Sequence, residues 1–246
     1  MIDALAGHLA GAASVVALTG AGVSAASGVP TFRDAQTGLW ARYQSDGAGH
    51  AGGLRPDPQL VRCWYAWRRS LLARVRPNDA HIALAEWPGR MMVITQNVDG
   101  LHQRAGSTEV IELHGRLDRD RCSAECGTRT PASAAESPPP CPRCGALMRP
   151  DVVWFGKALP EQALSDALAA VRGADCVLSI GTSSLVRPAA DLPWEALAAG
   201  VPVAEINTEA TPLTDQARWS LRGRADQTLP ALVAAIRQRR GDHHEP

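Results

Sequence analysis

Residues 15–34 read Val15-Val16-Ala17-Leu18-Thr19-Gly20-Ala21-Gly22-Val23-Ser24-Ala25-Ala26-Ser27-Gly28-Val29-Pro30-Thr31-Phe32-Arg33-Asp34. The apolar, largely β-branched run from Val15 to Leu18 is the kind that forms a strand buried on both faces of a parallel sheet. Thr19 and Gly20-Ala21-Gly22 end it without a bulky side chain, and the small residues through Ser27 suit the opening of a helix against a ligand. Gly20-x-Gly22-x-x-Ala25 fits the G-x-G-x-x-G/A pattern, in which glycines let backbone approach a pyrophosphate. A glycine turn is also common between any strand and helix. The acidic ribose ligand usual about 20 residues further on is absent, with Leu39 and Trp40 in that region. Phe32 and Arg33 stand beside the expected phosphate site instead, a pair that a purely structural turn does not need.

Outward from this stretch, Leu5 and Leu9 predict a helix within residues 1–14. Further strands are predicted at 91–94, 110–113, 176–180 and 201–206, and helices at 59–74, from 77, 160–173, 194–199 and 229–239. Asn78 or Asp79 is placed to cap the second of these helices, where His81 reads as a structural residue bonded to backbone. Residues 45–53 are Gly-rich and weakly patterned, a loop, and 241–246 a frayed tail. Strands alternating with helices predict an α/β fold with a doubly wound parallel sheet. Ligands of such sheets bind at the carboxyl ends of the strands. Gly20, Gln96, His114, Gly181 and Asn207 each stand just past a predicted strand end, and that convergence points to a nucleotide site.

The chain's 246 residues can bury a substantial core, as one large domain or one with a small insert. Lys+Arg and Asp+Glu both number 25, so no overall field draws it to nucleic acid or to a membrane surface. No apolar run reaches spanning length and no cleavable leader is legible, so a cytoplasmic enzyme is expected. Of six cysteines, Cys63 and Cys176 read as isolated buried thiols. The others form Cys122-x-x-x-Cys126 and Cys141-x-x-Cys144, with 14 residues between the pairs. In a reducing compartment this spacing points to a closed, structural Zn²⁺ site with four thiolates. Residues 116–150 lack apolar periodicity, cannot build their own core, and need that metal as a staple.

Gln96, Asn97 and Asp99 combine amide donors, amide acceptors and a carboxylate, the mix a carboxamide such as nicotinamide needs; the same residues would also make an ordinary polar turn. His114, between a strand and a glycine, is a candidate general base because its ordinary pKa lies near neutrality, although an isolated histidine is more often structural.

Taken together, GAGVSAASGVPTFRD, TQNVDGLH, ELHG, the four cysteines, VVWFG, GTSS and PVAEINTE resemble, in order, the motifs of the sirtuin family of NAD-dependent protein-lysine deacylases. The resemblance implies a Rossmann-like large domain (1–41, 76–115 and 151–246) and a small domain formed by a helical insertion (42–75) and a zinc ribbon (116–150). NAD and an extended acyl-lysine peptide would meet in the cleft between them. By motif, Gly20, Ala21, Gly22, Ala25, Thr31, Phe32, Arg33 and Trp40 would line the NAD phosphates and ribose, and Gln96, Asn97, Val98 and Asp99 the nicotinamide end. Gly181, Thr182, Ser183, Asn207, Thr208 and Glu209 would take the adenosine half, with Ala225 offering backbone to adenine. His114 is similar to the family's general base, and Cys122, Cys126, Cys141 and Cys144 to its zinc ligands, one ion per chain. Val153, Trp154 and Phe155 would pair as a strand with the substrate backbone.

The resemblance also implies products: free lysine, nicotinamide and O-acyl-ADP-ribose. Tyr65-x-x-Arg68 resembles the pair by which class III sirtuins recognise succinyl, malonyl and glutaryl groups, a phenol and a forked guanidinium matched to a carboxylate. The expected activity is removal of such acyl groups with secondary deacetylation, by a monomer. A plain deacetylase and a mono-ADP-ribosyltransferase are the alternatives. Ala26 and Lys157 stand where class III members carry Glu, and the first cysteine pair is one residue longer.

Overall fold

A computed structural model of the chain describes residues 1–30, 58–135 and 137–242. Its centre is a six-stranded parallel sheet in the order β3-β2-β1-β7-β8-β9. The strands are β1 (Ser14–Thr19), β2 (Arg90–Thr95), β3 (Val110–Glu112), β7 (Cys176–Ile180), β8 (Val203–Asn207) and β9 (Trp219–Arg222). The helices are α1 (Ile2–Ala10), α2 (Pro58–Arg74), α3 (Asp79–Ala85), α4 (Leu101–Ala105), α5 (Glu161–Arg172), α6 (Leu192–Ala198) and α7 (Ala225–Asp242). The continuous apolar character of β1 follows from its place: Val15 and Ala17 enter the core cluster shared with α1, α3 and α7, while Val16 and Leu18 enter the one beneath α5 and α6. The chain winds β1-β2-β3 to one side and β7-β8-β9 to the other, so the topological switch point lies between β1 and β7.

A second, antiparallel sheet of order β5-β4-β6 comprises β4 (Gly115–Cys122), β5 (Arg129–Pro131) and β6 (Met148–Val152). It escapes a periodicity search for a physical reason. The buried positions of β4 include Asp120, whose carboxylate is met by Arg62 and Arg69 of α2 at 3.2 and 2.7 Å. A separate apolar cluster of Val61, Trp64, Tyr65, Leu117, Val152 and Trp154 joins α2 to this sheet.

Other expectations differ in detail. Residues after β1 form a 3-10 helix, Ala21–Ser27, in place of an α-helix. β9 and the first turn of α7 go beyond the predicted elements, and Cys63 is exposed, on the outer side of α2. The predicted loop at 45–53 lies outside the described residues. Among the described residues no helix is long and apolar enough to cross a membrane.

Candidate active site

At the switch point two loops cross in contact. Gly20 N–H donates to the Ile180 carbonyl at 3.0 Å and Gly22 N–H to the Gly181 carbonyl at 2.8 Å. A Cβ on Gly22 would lie 2.7 Å from the Gly181 Cα, and one on Gly181 2.5 Å from the Val23 nitrogen. The glycines of the fingerprint are therefore required first by this crossing of backbones. Ala21 borders the crossing half-buried and Ala25 is exposed.

The segment after β2 is built into the same edge. Gln96 Nε2 donates to Thr182 Oγ1 at 3.1 Å, and Asn97 Nδ2 donates to the Gly20 carbonyl at 3.1 Å and to Ser24 Oγ at 3.0 Å. Ser24 Oγ donates to Asp99 Oδ2 at 2.8 Å, and the other oxygen of Asp99 accepts from Leu101 N–H at 2.9 Å, in the turn that leads into α4. Val98 is half-buried, its carbonyl accepting from Leu117 N–H. Beneath lies His81, whose Nδ1 accepts from Asn78 N–H at 3.3 Å, so that Nε2 carries the proton toward Ser24 Oγ, also at 3.3 Å. Burial pushes His81 down to about 4, against the pull of Asp99, and His102 beside it down to about 3. His81 does bond backbone as expected, but it also underlies Ser24. Neither Ser24 nor His81 was legible as part of the site, because 57 positions separate two residues that meet only in the fold.

His114 follows β3, at the rim of the same edge. Its Nδ1 lies 2.8 Å from the Gln96 carbonyl; that oxygen can only accept, so Nδ1 carries the proton and Nε2 of the neutral ring is an acceptor. Burial lowers the pKa of His114, opposed by the Gln96 hydrogen bond. The turn that releases the ring needs Gly115 (φ +79°), where a Cβ would stand 2.0 Å from the Asp151 carbonyl.

On the far side of the switch point Asn207 Nδ2 donates to the Thr182 carbonyl at 2.8 Å, tying the loops after β7 and β8. Thr182 is buried, Ser183 half-buried, and Thr208 and Glu209 are exposed. The loop beyond rests on buried Glu205, which accepts from Thr214, Ser220 and Arg222 at 2.7, 3.2 and 3.2 Å, and from Thr211. Ala225 opens α7 with its side chain in the core.

Tyr65 and Arg68 share one face of α2. Tyr65 is buried, and the Arg68 guanidinium lies 4.9 Å from the Trp64 ring centre and 5.7 Å from that of Tyr65. Burial raises the pKa of the phenol and lowers that of Arg68, the latter opposed by the carboxylate of Asp99. Arg69, by contrast, is tied to Asp120 and to the Leu117 carbonyl, at 2.7 and 2.6 Å. The segment expected to pair with the substrate backbone follows β6. β6 ends at Val152, Val153 N–H is already bonded to the His114 carbonyl at 3.0 Å, and Trp154 turns inward; Phe155 is the exposed member of the three.

The four cysteine sulfurs lie within 4.8 Å of one another and none is in a disulfide. The Cys122–Cys144 and Cys126–Cys141 Sγ separations are 3.4 and 3.6 Å. Tetrahedral Zn–S bonds of about 2.3 Å require S···S edges of about 3.8 Å, so the quartet fits zinc. The additional residue of the first knuckle is absorbed at Glu125, which adopts a left-handed conformation (φ 56°). Hydrogen bonding from Thr128 draws Cys126 down to about 6. Although a backbone bond at Ala146 opposes it, the neighbouring thiols push Cys144 up to about 12. Four thiolates in this space call for a cation.

Thr31, Phe32, Arg33 and Trp40 lie outside the described residues. What the rest defines is a doubly wound α/β protein with polar loops gathered at the carboxyl ends of its strands, a half-buried imidazole just past the end of β3, and a four-cysteine metal-binding cluster at the end of β4. The Sir2 family model matches residues 20–188, and the chain belongs to that family. It is 49% identical over 232 residues to the NAD-dependent protein deacylase Sir2 of Mycolicibacterium smegmatis, covering 90% of this chain and 96% of that one. It is 48% identical over 231 residues to the NAD-dependent protein deacylase of Mycobacterium tuberculosis, covering 90% and 97%. Among solved structures, a mutant Sir2 homologue in complex with ADP-ribose superposes with a TM-score of 0.90 at 42% identity over 100% of both chains. A Sir2 homologue–NAD complex gives 0.88 at 44% identity over 96% of this chain and 94% of that one.

Proposed function

We propose that this chain is an NAD-dependent protein-lysine deacylase. The observation that carries the reading is His114: its Nδ1 proton is committed to the Gln96 carbonyl at 2.8 Å, which leaves Nε2 as a base at the crevice rim. NAD supplies the ADP-ribosyl group that receives the acyl group and the nicotinamide that departs. Gln96, Asn97, Val98 and Asp99 hold the nicotinamide end, Asn97 and Asp99 being oriented by Ser24. Gly20, Ala21, Gly22 and Ala25, with Thr31, Phe32, Arg33 and Trp40, serve the phosphates and ribose. Gly181, Thr182, Ser183, Asn207, Thr208, Glu209 and the Ala225 backbone serve the adenosine half. With NAD and acyl-lysine bound, His114 Nε2 would take the proton of a ribose hydroxyl; one water is consumed in freeing the amine, and the products would be lysine, nicotinamide and O-acyl-ADP-ribose. Cys122, Cys126, Cys141 and Cys144 hold one structural Zn²⁺, which has no open position for substrate.

The same reading gives the enzyme a preference for acidic acyl groups, with deacetylation secondary, as a cytoplasmic monomer acting on acyl-lysine proteins. Support comes from Tyr65 and Arg68 on one helix face, with the Arg68 guanidinium over the rings of Trp64 and Tyr65. A forked guanidinium beside a phenol in a partly dry pocket suits a carboxylate. Incubation with NAD and matched succinyl- and acetyl-lysine peptides, followed by mass, is expected to show faster desuccinylation. Equal or faster acetyl turnover would make the chain a plain deacetylase, and label passing from NAD to protein without peptide change a mono-ADP-ribosyltransferase. Arg68→Met is expected to cost roughly 2 kcal/mol, about 30-fold, in kcat/KM for the succinyl peptide and much less for acetyl. Equal losses on both would mean that Arg68 only supports the helix.

A further inference from the structure

Trp154 lies outside the β6 ladder with its indole buried, and that indole makes one polar contact: Nε1 donates to the Tyr65 hydroxyl at 3.0 Å. An indole N–H can only donate, whereas a phenol oxygen both accepts and donates. The contact therefore occupies a lone pair of Tyr65 and leaves the phenolic hydrogen as the group it can still offer. The ring that makes the contact is itself held. The Arg149 guanidinium stacks 4.6 Å from its centre, and Arg149 donates to the carbonyls of Pro150 and Val152 at 3.1 and 3.0 Å. Tyr65 in turn packs edge-on against Trp64, ring centres 4.7 Å apart, so its oxygen has little freedom to turn away. Residues from two segments far apart in the chain thus fix both the position and the hydrogen-bond polarity of one phenol.

We propose that Trp154 is a specificity-determining positioning residue. Its N–H fills an acceptor direction of Tyr65 and so biases the phenol to donate toward the acyl group, which favours an acyl chain ending in an acceptor such as a carboxylate over one ending in a methyl. The proposal rests on the reading of Tyr65 and Arg68 as the acyl-recognition pair. It concerns the indole alone and leaves the main chain of residues 153–155 to pair with the peptide backbone. Without the N–H, the phenol can accept as well as donate, and its hydrogen is no longer directed.

The test uses the full-length, zinc-loaded enzyme with NAD and succinyl- and acetyl-lysine peptides of one sequence. The wild-type ratio of kcat/KM for the two peptides comes first; a ratio at or below one would sink the acidic-acyl reading, and the proposal with it. Given a ratio above one, Trp154→Phe, which keeps an aromatic ring and removes the N–H, is expected to lower the ratio about 3- to 10-fold, chiefly through a higher KM for the succinyl peptide. In a Tyr65→Phe background the same change is expected to leave the ratio where Tyr65→Phe alone puts it, because the N–H then has no oxygen to orient. A change in ring size alone would persist in that background. If Trp154→Phe does not fold, the benzothienyl isostere of tryptophan, with sulfur in place of N–H, takes its place. An unchanged ratio in the single variant, or an undiminished effect in the double variant, would overturn the assignment while leaving the acidic-acyl reading intact.

Discussion

His114 shows how much one backbone carbonyl decides. Gln96, at the end of β2, fixes the tautomer of a ring at the end of β3, and the two strands are neighbours in the sheet. Burial lowers the pKa of His114 from its ordinary 6.5, so the ring stays neutral to a lower pH than a free histidine and the base form is lost only as pH falls through that lowered value. The acid limb of kcat/KM is therefore expected to have its midpoint below 6.5; a midpoint above that value would contradict the assignment of this ring as the base. His114→Ala is expected to abolish turnover while NAD affinity, read by calorimetry, stays within a few fold. At this scale the sequence is informative where a residue sits at a strand end, as Gln96, His114 and Asn207 do. It is silent on Ser24 and His81 as site residues, and on the hydrogen bonds that link them to Asp99 across three elements that no local pattern connects.

Helix α2 and strand β4 illustrate why elements differ in legibility. α2 announces itself by its aromatic residues, whereas β4 hides because one of its inward positions is a carboxylate. Asp120 is fully buried and shared: Arg62 and Arg69 reach it from α2, and Ser133 N–H donates to it at 3.0 Å. Arg62 also donates to the carbonyls of Ala135 and Ser133, at 2.7 and 2.6 Å. Replacing the carboxylate strands two guanidinium groups in an apolar interface. Asp120→Ala is expected to lower stability by about 3–5 kcal/mol, as does removal of one partner from buried ion pairs generally. Denaturant titration measures the cost, and hydrogen exchange locates it: protection should fall in α2 and in residues 115–135 while the six-stranded sheet keeps its own. Uniform loss across both sheets would instead show that Asp120 serves the whole core.

Across the whole molecule the apolar clusters are unevenly shared. Those on the two faces of the parallel sheet are large, whereas the one around the knuckles contains, as fully buried members, Cys122, Cys141 and Met148. The parallel sheet was legible because strands buried on both faces must be apolar. The antiparallel one was not, because its order comes from a metal site and from buried ion pairs, and neither leaves a hydrophobic period. That contrast makes metal removal a selective lesion. A structural zinc site contributes folding free energy directly to the segment that carries its ligands. Asp120 is two residues from Cys122 on the same strand, so loosening the knuckles also loosens the partner of Arg62 and Arg69, and with it the helix bearing Tyr65 and Arg68. Treatment with a strong chelator is thus expected to open protease cleavage between residues 122 and 147 while the parallel-sheet portion remains resistant and retains its circular dichroism. The KM for acyl peptide should rise well before NAD binding is lost, because the loops after β1 and β7 are held to each other by the Gly20–Ile180 and Gly22–Gly181 bonds within the parallel-sheet portion. Zinc added back should restore both protease resistance and KM. A single cooperative collapse on chelation, with NAD affinity and peptide KM failing together, would mean instead that the metal module carries the whole fold.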